Sequence, residues 1–182
     1  MTSADDVTAL ALAAGRGDRG ALSEFIRLTQ TDVWRFVARL AGSGAADDLT
    51  QETYLRALVG LPGFEGRSSA RAWLLAIARR VVIDRIRAET VRPRTTAVDW
   101  AEVEAWFAVF PDPSSGLHLE LLLGRLDASR REALVLTQLL GFSYAETAEI
   151  CGCPVGTVRS RVARARAELV AVLTRRPEDA RA

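Results

Sequence analysis

The sequence contains no lysine and no asparagine: all 24 of its basic residues are arginines, set against 23 acids and one histidine, for a net charge of +1. An arginine-only cation set points chiefly to GC-rich coding, and its planar, permanently charged guanidinium also suits phosphate. With so small a net charge, affinity for an anionic polymer has to come from how charge is distributed. There are two cysteines, Cys151 and Cys153, one residue apart, so a disulfide framework is excluded. The pair has only a distant His118 for company, and a zinc site usually needs four ligands. Cys151 is therefore expected in the core and Cys153 in a turn. No Gly-rich phosphate cradle, metal-ligand cluster or nucleophile–histidine–acid set is present, so no metal, cofactor or catalytic centre is expected. No apolar run reaches the 18 or so residues of a membrane span, and the opening Met1-Thr2-Ser3-Ala4-Asp5-Asp6 does not read as a secretory leader. A cytoplasmic protein without membrane insertion is the expectation.

What is present is 182 residues with 49% apolar content, enough for one medium domain or two small ones. Residues 1–88 hold 12 arginines and 10 acids, and residues 118–182 hold 10 arginines and eight acids. Between them, residues 89–117 have two arginines and five acids, with Pro93, Pro111 and the run Pro113-Ser114-Ser115-Gly116. Two mildly basic segments flank an acidic, proline-marked tether.

Apolar residues recur at threes and fours in both flanks and nowhere alternate, which predicts an all-α chain of two small domains joined by a linker. The expected helices cover residues 8–14, 20–40, 45–58 and 69–88 in the first domain. In the second they cover 117–126, 128–140, 143–151 and 155–173. Gly42 and Gly44, and later Gly60-Leu61-Pro62-Gly63, supply the breaks.

The strongest local pattern is residues 143–161, a two-turn helix, a short break at Gly152, and a second helix opening at Pro154 or Val155. This is the outline of a helix-turn-helix. At 100° per residue, Val155, Val158, Val162, Ala165 and Leu169 form one buried stripe. The opposite face carries Gly156, Ser160, Ala163 and Ala167. Small residues there let the backbone enter a major groove, while Thr157, Arg159, Arg161, Arg164 and Arg166 flank that strip within reach of bases and phosphates.

Two further patterns lie upstream. Asp47 and Asp48 open a helix on which Asp48, Glu52 and Arg56 share a face, suiting either a solvated surface or a dock for a basic partner. Farther on, Trp73, Ile77, Arg80, Asp84 and Arg87 line the face opposite Leu74, Ala78, Val81 and Val82. A tryptophan in register with arginines offers a stacking plane beside a cationic track; a half-buried tryptophan capped by arginine stems is the plain alternative. The preceding polar loop, Phe64-Glu65-Gly66-Arg67-Ser68-Ser69, could hold an extruded base.

In combination, residues 46–53, 64–79 and 141–166 resemble a bacterial RNA polymerase sigma factor of the extracytoplasmic-function (group four) family. The stretches Leu136-Thr137-Gln138-Leu139-Leu140-Gly141 and Cys151-Gly152-Cys153-Pro154 are similar to the actinobacterial sigma C group. The resemblance implies a subunit that binds core polymerase, through the coiled coil of its largest subunit and the flap, and directs promoter-specific initiation. It implies that Asp47, Asp48, Leu49, Gln51 and Glu52 dock on polymerase. Phe64, Glu65, Gly66, Arg67, Ser68, Ser69, Arg71, Trp73, Arg79 and Arg80 would then read and melt the −10 element. The −35 element would be read by Pro154, Gly156, Thr157, Arg159, Ser160, Arg161 and Arg164. The domains it implies are a sigma-two-like unit at 1–88, a linker at 89–117 and a sigma-four-like unit at 118–182.

The sequence departs from that family at two places. Arg80 stands where many relatives have Asn. The linker carries Trp100, Trp106, Phe107 and Phe110, which a simple tether does not need. Those aromatics are expected to bury themselves against one or both domains and hold the free protein compact, masking DNA-binding surface until polymerase binds; an anti-sigma factor is the other partner that could supply such masking. A stand-alone helix-turn-helix regulator and a helical protein–protein adaptor remain the other two readings.

Overall fold

The computed structural model of the protein describes residues 4–91 and 116–174. Trp100, Trp106, Phe107 and Phe110, with the side chain of His118, lie outside the described residues. Among the described residues there are eight α-helices and no strand. Helices α1 (Ala4–Gly15), α2 (Arg19–Ala41), α3 (Ala46–Gly60) and α4 (Ala70–Val91) form the first domain. Helices α5 (Gly116–Arg125), α6 (Ala128–Leu134), α7 (Tyr144–Cys151) and α8 (Val155–Thr174) form the second.

Local chemistry sets the ends of these helices. Asp5 and Asp6 sit in the first turn of α1, where carboxylates offset the exposed N–H groups, and the helix starts four residues earlier than periodicity suggests. Asp18 caps α2 by accepting from the Ala21 N–H at 3.0 Å, and α2 ends at Gly42 with φ of 88°. Asp127 caps α6, its Oδ1 accepting from the Ser129 and Arg130 amides at 2.9 Å. Ser143 and Glu146 form a reciprocal capping box on α7. The far end of α7 closes on Gly152, left-handed at φ 63°, with the Cys153 N–H bonding to the Ala148 carbonyl at 3.1 Å. That Schellman-type stop makes the tight turn of the helix pair.

One expected helix is interrupted. The stretch 128–140 runs as α6 only to Leu134, then widens into a π-helical turn over Val135–Leu139. There the Thr137 hydroxyl donates to the Ala133 carbonyl at 2.7 Å, competing locally with the regular backbone ladder.

Phe25, Val33, Phe36, Val37, Leu74 and Leu75 fill the core of the first domain; Leu123, Leu126, Leu136, Val158 and Val162 fill that of the second. The buried side chains of the two make one contiguous cluster, because α4 packs directly on α7 and α2 meets α6 and the π turn.

Candidate nucleic-acid interface

On α8 the expected stripe holds at its centre. Val158, Val162 and Ala165 are buried, Leu169 is half-buried, and Val155, at the exposed start of the helix, is not covered. Pro154, Gly156, Arg159, Ser160 and Arg164 are exposed, and Thr157 and Arg161 are half-exposed. The Pro154 carbonyl accepts from Thr157 and Val158, which starts the helix immediately after the turn. Arg161 is steadied by a long contact from Nη1 to the Cys153 sulfur at 3.7 Å, and Arg166 by a 2.6 Å bond to Gln138. Cys151 lies in the core as expected; burial, reinforced by the charge of Glu132, pushes its thiol up to about 12. It therefore stays protonated and inert at neutral pH.

On α3, Asp47, Asp48 and Gln51 are exposed and Glu52 is half-exposed. Leu49 is different. At 6% exposure it points into the core, so it anchors the helix and is not available to a partner. Glu52 and Arg56 pair at 2.7 Å, and Arg56 also reaches Asp84 on α4 at 2.6 Å. Beside Asp47 lies a groove of about 480 Å³, lined by Gln30, Thr31, Trp34, Asp47, Thr50 and Gln51. Trp34 donates from Nε1 to Asp47 Oδ1 at 2.8 Å, a contact that no sequence pattern announced.

Between α3 and α4 the loop 64–69 leaves Glu65 and Arg67 exposed, with Phe64, Gly66, Ser68 and Ser69 half-exposed. Glu65 and Arg67 pair at 2.8 Å in solvent, a contact of little energetic weight. Phe64 and Trp73 have ring centroids 4.9 Å apart at 40°, so the half-buried tryptophan has an aromatic neighbour at the mouth of the loop. Ser69 caps α4, its hydroxyl accepting from the Ala72 N–H at 3.2 Å. Arg80 is exposed on the outer face.

Arg71 and Arg79 are not open to solvent in this way. Arg71 pairs with Asp32, donates to the Leu140 carbonyl at 3.4 Å and stacks its guanidinium 4.7 Å from the Phe142 ring centroid. Arg79 donates from Nε to Glu132 Oε1 at 2.6 Å, and the Glu132 side chain is only 8% exposed. From the other side, Arg131 donates to the Leu40 carbonyl at 3.4 Å, and Arg39 pairs with Glu120 at 3.2 Å. Two arginines of the expected −10 set are thus engaged by the second domain. Glu132 and Phe142 were not foreseen as partners, although an acid within the apolar run that follows Arg131 was a visible signal. Among the described residues no group of His, Cys, Asp and Glu could hold a metal ion, and no helix is long and apolar enough to cross a membrane.

Residues 25–92 match the family described as Sigma-70 region 2, and residues 117–169 match Sigma-70, region 4. The chain is 53% identical to the ECF RNA polymerase sigma factor SigC of Mycobacterium tuberculosis, over 93% of this chain and 94% of that one. It is 33% identical to the ECF RNA polymerase sigma-E factor of Escherichia coli, over 83% of this chain and 85% of the other. Among solved structures, it resembles CnrH in complex with the cytosolic domain of CnrY, with a TM-score of 0.72, 28% identity and coverage of 99% and 100%. It also resembles the sigma factor RpoE bound to the anti-sigma factor NepR from Bartonella quintana, with a TM-score of 0.67, 30% identity and coverage of 84% and 96%. Two sigma regions in order, with 53% identity to an extracytoplasmic-function sigma factor over 93% of this chain, show that it belongs to that family and directs promoter-specific transcription initiation by RNA polymerase.

Proposed function

We propose that the three surfaces divide the work of initiation. The outer face of α3, with Asp47, Asp48, Gln51 and Glu52, docks on a basic helical surface of core polymerase. The loop 64–69 with Trp73, Arg71, Arg79 and Arg80 takes the opened −10 strand. Unstacking a base costs a few kcal/mol, so a pocket and an aromatic plane are needed to hold it out. Helix α8 enters the −35 major groove. The working units are residues 1–88 and 118–182, tethered by 89–117. The role is one of binding and melting, without bond-making chemistry of its own, carried out in the cytoplasm.

The observation that carries this reading is α8 itself. Its apolar stripe at Val158, Val162 and Ala165 is buried, while Gly156, Ser160, Ala163 and Ala167, with Arg159 and Arg164 beside them, are exposed beyond a tight helix-turn-helix. In vitro transcription with core polymerase over genomic fragments, with start sites mapped, tests it. Discrete starts that depend on the protein are expected; failure to direct any start would overturn the reading.

The packing of the two domains favours a second element of the reading, self-masking. With Arg71 held by Leu140 and Phe142 as well as by Asp32 of its own domain, and Arg79 held by Glu132, two of the expected −10 arginines are occupied in the free protein before any DNA arrives. Relatives in solved complexes are held by NepR and by CnrY. Here the second domain can act as the mask, with or without such a partner.

A further inference from the structure

Helix α1 lies outside the segment matched to Sigma-70 region 2, which begins at residue 25, and no role falls to it above. Yet one face of it touches the 64–69 loop and its flanks at three places. Thr8, Leu12 and Gly15 recur at the i, i+4, i+7 spacing of a single helical face. Gly15 sits so close to the turn Leu61–Gly63 that a Cβ there would lie 2.5 Å from the Leu61 carbonyl oxygen. Leu12 meets the middle of the loop, where a Cβ on Gly66 would be 3.4 Å from Leu12 Cδ1; Gly66 itself is left-handed at φ 72°. Thr8 meets the end: its hydroxyl accepts from the Ala70 N–H at 3.1 Å, satisfying one of the orphan amides of α4, and its methyl faces Gly66.

We propose that the Thr8–Leu12–Gly15 face of α1 is the template that holds the −10 loop in its base-accepting shape, and that Thr8 is a positioning residue for base selection. This rests on the reading of residues 64–69 as the −10 loop. A pocket that discriminates bases must hold its walls to a fraction of an ångström, and a short polar loop with a left-handed glycine cannot do so alone. The start, middle and end of the segment are each pinned by the same rigid helix. Thr8 therefore acts on DNA through the loop without touching it.

The test uses holoenzyme assembled from core polymerase and full-length protein. The probe is a fork-junction DNA from a promoter recovered by the transcription assay, its non-template −10 overhang randomised; bound molecules are sequenced. Thr8→Ala and Leu12→Ala are compared with wild type, Thr8→Ser, and the loop variants Phe64→Ala and Arg67→Ala. Loss of one fixing hydrogen bond is expected to cut the preference for the best base about fivefold in Thr8→Ala. Thr8→Ser, which keeps the acceptor, should stay near wild type, and −35 duplex affinity should not move in any α1 variant. If Thr8→Ala and Leu12→Ala select bases like wild type while the loop variants lose selection, the template role is wrong and the loop reading stands. Unchanged selection in the loop variants as well would remove both. If the α1 variants no longer bind core, α1 supports the whole domain and a local role is overturned.

Discussion

Arg79 on α4 donates from Nε to Glu132 on α6 at 2.6 Å, joining an expected −10 residue of one domain to a carboxylate buried at the edge of the other. Ion pairs of this kind are sensitive to loss of one partner, because the survivor is left desolvated. Arg71 adds a cation–π contact to Phe142 and a bond to Leu140 along the same seam. Beside the apolar packing of α4 on α7, charges of the first domain meet carbonyls, a carboxylate and a ring of the second, and Arg131 reaches back to the Leu40 carbonyl.

Replacing Glu132 with Ala should open the seam without removing any DNA-facing group. The released Arg79 can rehydrate, so the closed state should lose a factor of about ten or more in population. Small-angle scattering should show a larger radius of gyration, and the free variant should bind single-stranded −10 DNA more tightly than wild type. An unchanged profile with unchanged affinity would count against self-masking.

Charge reversal on α3 should separate docking from folding. Asp48 is exposed, so Asp48→Arg should keep the folded circular dichroism and cost about 1 kcal/mol through the first turn of α3, while weakening association with core polymerase by about tenfold, mostly at low salt. Leu49→Ala should behave in the opposite way. Its core position makes it a stability variant, worth about 2–4 kcal/mol, whose binding defect follows its unfolding.

Arg161→Ala with Arg164→Ala should abolish transcription from promoters with a −35 element. Each arginine that reads a base edge is worth about 1–3 kcal/mol of discrimination, and each that meets a phosphate should lower the salt slope by about one. Filter binding of holoenzyme to −35 duplexes across a salt series distinguishes the two kinds of contact. Normal transcription from the double variant would support the adaptor reading.

Asp127 provides a pH test. Amide and hydroxyl donors from Arg130 and Ser129 hold its carboxyl below the usual carboxylate range. A depressed native pKa adds stability that is present above the unfolded value and lost as pH falls through the native one. Asp127→Ala should therefore lower stability by about 1 kcal/mol at neutral pH, and the gap to wild type should close in acid. Urea melts at neutral and acidic pH measure it.

Much of this molecule is legible in its residues, and the exceptions have physical causes. The helix-turn-helix was readable because Gly152, Pro154 and the valine spacing each encode local geometry, and the structure places them as that geometry requires. Helix ends shifted by a few residues where first-turn acids carry the helix past its apolar periodicity, as at Asp5 and Asp6. The π turn at Val135–Leu139 leaves no mark in the apolar pattern, since Val135 and Leu136 would be buried in a regular helix too; the Thr137 bond to the Ala133 carbonyl and the contact with α2 accompany it. Contacts between domains were invisible for a different reason. Arg71, Arg79 and Glu132 look like ordinary surface charges along the chain, and only the docking of α4 on α7, with α6 beside it, brings them together.

The way Arg71 and Arg79 are held also determines how the protein should respond to its ionic surroundings. Both guanidiniums have carboxylates as partners at rest, and a phosphate backbone would have to take the carboxylates' place. Opening would therefore be an anion exchange at these two arginines, and dissolved electrolyte weakens the outgoing and the incoming pairing together. Promoter capture at the −10 strand should accordingly show a flatter dependence on salt than the number of arginines that meet the strand would suggest.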